Sequence, residues 1–84
     1  MTSPTVLSKA LGTFLRTYGG REYRDTSIED MKVVFDGLMD ILVLDGPTKV
    51  IMNKLKRKVA KMNNKEKLLF AVSEKMLELE GMGG

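Results

Sequence analysis

The sequence predicts an all-α fold: a compact bundle of four helices over about 4–18, 27–45, 48–62 and 64–80, with dimerisation as a route to completing it. Three observations carry that prediction. Apolar residues recur at helical spacing in four segments, and no segment alternates as a half-buried strand does. Start and stop signals punctuate those segments where helices begin and end. With 84 residues the chain is one domain, 1–84, whose 1–3 and 81–84 read as frayed tails.

In the first segment Ser3 suits an N-cap and Pro4 the first helical position. Val6, Leu7, Ala10, Leu11, Phe14, Leu15 and Tyr18 then fall on one half of the helical wheel. Gly19-Gly20 is expected to end the helix in the left-handed conformation common at helix C-termini. The following "GGREYRDT" is the one connection of any length.

Thr26 with Glu29, or Ser27 with Asp30, opens the second helix as a capping box. Its apolar positions run nearly all round, so the sequence predicts a helix buried on most sides, central in the fold or facing a partner. "DGP", Asp45 to Pro47, forces a stop. The third helix has Ile51, Leu55, Val59 and Met62 as its inner row, and Asn63-Asn64 is expected to separate it from the fourth. A continuous helix with a coiled-coil seam is the alternative. The fourth helix has Leu68, Leu69, Val72, Met76 and Leu79 inside.

Composition narrows the chemistry. The chain has no Cys and no His, which removes disulfides, Cys/His zinc sites and the common nucleophile and acid–base arrangements. No catalytic residue, cofactor or metal ligand is therefore assigned, and the expectation is a protein that is not an enzyme. Asp36 and Asp40 share a helix face, but Lys32 stands four residues before Asp36, so an ion-pair stripe is the better account. Neither inter-helix connection has the alternating carboxylates and closing Glu of a calcium-binding loop. The longest apolar stretch, 33–44, contains two Asp and is shorter than the roughly 20 residues that span a bilayer. The expectation is a cytoplasmic protein with no membrane partner.

The most informative feature is charge asymmetry. From Lys49 to Lys67 eight basic residues face only Glu66, a local +7 in a chain of +3, so the remainder carries −4. At 100° per residue, Lys54, Arg57, Lys58 and Lys61 lie within about a third of the wheel, set opposite the inner row of Ile51, Leu55, Val59 and Met62. With Lys49 and Lys65 they form a candidate nucleic-acid-binding face. Lysine is a mobile point charge suited to phosphate, and only Arg57 and Asn53 are good base readers, so the pattern favours sequence-tolerant backbone binding. A solvated face and an acidic protein partner are the competing readings, the latter including the chain's own Glu74, Glu78 and Glu80. Tyr18, Arg21, Tyr23 and Arg24 in the long connection are weaker candidates for stacking or clamping.

A second surface is apolar. Phe70 and Leu77, seven apart, lie roughly opposite Val72, Met76 and Leu79, and mark a candidate partner interface. The expected function is thus a small nucleic-acid-binding or transcription-associated protein, expected to be a homodimer. The alternative is a protein-interaction module, an inhibitor or assembly factor, docking through Phe70, Leu77 and the methionines.

Overall fold

The computed structural model describes residues 4–42 and 46–83. Four helices follow in order: α1 (Pro4–Arg16), α2 (Ile28–Ile41), α3 (Gly46–Ala60) and α4 (Lys65–Gly83). Among the described residues there is no strand. The Cα radius of gyration, 12.0 Å, is what a compact chain of this length should show, about 12 Å.

α1 and α4 form the principal antiparallel pair. Ser8 Oγ donates to Glu80 Oε1 at 3.2 Å near one end. Further along, a Cβ on Gly12 would lie 3.4 Å from the Met76 sulfur, and one on Gly19 would lie 3.8 Å from Leu69 Cδ1. Leu7, Leu11 and Phe14 on α1 are buried against Leu68, Ala71, Val72 and Leu79 on α4. α2 adds Met31, Phe35 and Met39, with the Phe35 ring edge-on to Phe14 at 5.8 Å between centroids. α3 adds Met52, Leu55 and Val59. The sets on α1, α2 and α3 recur every three or four residues, and the α4 set, at offsets of 3, 4 and 11 from Leu68, also falls on one side, so the core is one stripe from each helix.

Local chemistry sets the boundaries. Ser27 Oγ accepts from the Asp30 N–H at 3.1 Å, so Ser27 rather than Thr26 is the N-cap of α2. Asn64 Oδ1 accepts from the Lys67 N–H at 3.1 Å and starts α4, which separates α3 from α4 and removes the continuous coiled coil. Asn63 contributes no left-handed residue; among the described residues only Gly46 has positive φ, at 58°. Ser3 and Asp45 lie outside the described residues.

Four expectations change. Gly19-Gly20 does not end α1 left-handed. The chain widens into a π turn over Thr17–Arg21, where the Glu22 N–H reaches the Thr17 carbonyl at 3.1 Å and Gly20 takes φ −120°, ψ −107°. α2 is not buried on most sides: Val33 is 69% and Ile41 78% exposed, and Val34 is exposed beside them. α4, packed against both α1 and α3, takes the central place. On α3 the fully buried residue is Met52, while Ile51 is half-buried. α4 runs on to Gly83, past the expected end at 80.

Candidate nucleic-acid interface

Because Met52, Leu55 and Val59 face inward, the opposite side of α3 must face outward. It carries Lys54, Arg57 and Lys58, all exposed, and Lys61 follows in the turn after the helix, also exposed. Exposed Val50 lies among them on the same side. Among the described residues the ion pairs are Lys56 with Asp40 at 3.7 Å and Lys75 with Glu78 at 2.8 Å. Among the described residues none of the four outward cations forms an ion pair, so the face presents positive charge to solvent.

The chain's own acidic end does not cover it. Glu80 takes the Ser8 hydroxyl, Glu78 takes Lys75, and Glu74 lines a groove that Lys58 also lines without forming an ion pair to it. Lys49 is exposed in the first turn of α3 but sits about 80° round the helix from Arg57, off the stripe.

Lys65 has a different place. Its ammonium donates to the Tyr23 carbonyl at 2.6 Å and stands 5.0 Å from the centre of the Tyr23 ring. It fastens the long connection to the start of α4. Lys32 behaves similarly. Instead of pairing with Asp36 it donates to the Ala60 carbonyl at 3.1 Å. The unpaired carbonyls and negative dipole end of α3 attract a cation more than an exposed carboxylate one turn away does. Sequence reasoning had no signal for either contact, since both join segments distant along the chain.

Among the loop residues, Tyr18 packs on Phe14 with ring centroids 5.0 Å apart, while Arg21 and Arg24 are exposed. Phe70 and Leu77 are 66% and 59% exposed. The methionines whose side chains are described do not join them at the surface. Met31, Met39 and Met52 are buried and Met62 and Met76 half-buried, so they fill the core.

Phe70 is a ridge between two shallow apolar grooves. One, of about 470 Å³, lies between α3 and α4 and is lined by Lys58, Met62, Lys67, Ala71, Glu66 and Glu74 with Phe70. The other, of about 520 Å³, lies toward α1 and the long connection, with Leu15, Tyr23, Leu69 and Ser73. Among the described residues no three carboxylates gather as a metal site, and no helix is long and apolar enough to cross a membrane. No protein family, characterised protein or solved structure matches this chain.

Proposed function

We propose that this protein binds nucleic acid through the phosphate backbone, without catalysing a reaction, and serves a transcription-associated role in the cytoplasm. One observation carries the reading. Lys54, Arg57, Lys58 and Lys61 stand exposed on one side of α3, opposite its buried side, and among the described residues none is paired with a carboxylate. A face of that kind holds phosphates with little regard to sequence, because lysine supplies charge rather than base-edge recognition. Lys49 adds charge at the rim, whereas Lys65 belongs to the scaffold. The exposed Val33, Val34 and Ile41 on α2 support the homodimer that completes the reading.

The test is anisotropy of labelled duplex DNA across a salt series. Four neutralised phosphates give a log–log slope of about −3.6. Reversing Lys54, Lys58 and Lys61 to Glu should abolish binding while leaving the fold intact, since all three are exposed. Absence of binding by the unaltered chain at low salt, to duplex and to single strand alike, refutes the proposal.

A second reading is favoured by the exposure of Phe70 and Leu77 on α4. An apolar pair so far out of the core suits a protein partner. It predicts that polar replacements at both positions remove capture of that partner and leave nucleic-acid binding unchanged.

A further inference from the structure

Phe70 is an aromatic ring that the fold leaves two-thirds exposed, 66%, beside the cationic side of α3. Lys58 belongs to both features: it stands in the exposed row on α3 and lines the groove that Phe70 walls. The two features differ in charge. The α3 row is purely cationic, whereas the groove sets Lys58 and Lys67 against Glu66 and Glu74, which cancels. A phosphate backbone is therefore held along α3 and gains nothing by entering the groove. The groove, floored by Met62 and Ala71 and walled by Phe70, suits the uncharged portion of the same ligand.

In a nucleic acid that portion is the base. Base faces in a duplex are stacked on their neighbours and cannot reach a protein ring, whereas those of a single strand can. The two carboxylates at the groove are acceptors for exocyclic amino groups on base edges, a role for which aliphatic residues would be useless. Resting on the reading that α3 holds phosphates, we propose that the preferred ligand is single-stranded nucleic acid, with an unstacked base on Phe70 and the backbone along Lys54, Arg57, Lys58 and Lys61.

The test compares one short mixed-sequence oligonucleotide as a labelled single strand and as a duplex, by anisotropy, for the unaltered chain, Phe70→Ala and Phe70→Trp. The single strand should bind more tightly than the duplex, with a salt slope of about −2.8 for four phosphates. Phe70→Ala should weaken single-strand binding about 5- to 150-fold, the range for loss of one stacked base, and leave duplex binding unchanged. Phe70→Trp should retain single-strand binding. Because the chain has no other Trp, its emission should be quenched by the single strand and not by the duplex.

A duplex preference, or a Phe70→Ala variant that binds both forms as before, overturns the stacking role but leaves phosphates on α3 and returns Phe70 to protein docking. An equal loss for both forms shows that Phe70 acts through the fold, and overturns it too. Binding to neither form by the unaltered chain overturns this inference and the reading beneath it.

Discussion

Replacing Lys65 by Met keeps the length of the side chain and removes its ammonium. That ammonium donates to the Tyr23 carbonyl at 2.6 Å and faces the Tyr23 ring at 5.0 Å. A charged hydrogen bond contributes about 1.5–3 kcal/mol, and a cation over a partly exposed ring about 0.5–1 kcal/mol. Both residues are only half-buried, so water can satisfy the freed carbonyl and the sum must be discounted. A net loss of about 1–2 kcal/mol remains. In a domain of this size each kcal/mol lowers Tm by about 4–8 °C, so Lys65→Met should melt roughly 5–15 °C lower by far-UV circular dichroism. The control is Lys58→Met, an exposed position where substitutions stay within about 0.5 kcal/mol. On duplex DNA the pair should trade places: Lys58→Met reduces the salt slope by about 1, and Lys65→Met leaves it alone. An unchanged Tm for Lys65→Met, together with a slope reduced by about 1, would refute the assignment of Lys65 to the scaffold.

Two further substitutions probe the backbone. Gly37→Ala and Gly46→Ala make the same chemical change with opposite expected signs in urea titrations. Gly37 lies inside α2 with open space around its Cα, so Ala should stabilise by about 0.5–1 kcal/mol. Gly46 has equal room but φ +58°, where a Cβ should destabilise by about 1–2 kcal/mol. Ser27→Ala removes the hydroxyl that accepts from the Asp30 N–H and should lower stability by about 1 kcal/mol, with Ser27→Asp restoring it.

What the sequence revealed and concealed follows a physical division. Spacing and caps act within a few residues, so four helices, a cap at Thr26 or Ser27, the break at Asn63-Asn64 and the outward side of α3 were legible, and the structure chose Ser27. Which apolar side of a helix is covered depends on neighbours, and hydrophobicity alone left α2 either central or facing a partner; within the chain it is not central, and its Val33 and Ile41 are exposed. Ile51 and Met52 are adjacent and both apolar, and only the packing of α3 on its neighbours decides that Met52 goes inside. Charge pairing failed for the same reason. Lys32 had a carboxylate four residues away, and it went instead to the end of another helix. Gly20 signalled a departure from helical geometry without specifying which one.

The antiparallel embrace of α1 and α4 has a consequence for how the chain reaches this state. Ser8 and Glu80 are 72 positions apart, yet they touch, and their two helices form the most extensive helix pair among the described residues. α1 meets α4 more extensively than it meets α2, although Phe14 also packs on Phe35 of α2. Helical bundles usually owe their speed to contacts between sequence neighbours, and this one defers its largest burial to its most distant pair. The entropy of closing so long a loop grows only slowly with length, by about 0.6 kcal/mol per doubling, so the equilibrium is little affected. The timing is not. The cover that α4 gives α1 can form only between the two ends of the described chain, so closing that pair is expected to be a late step.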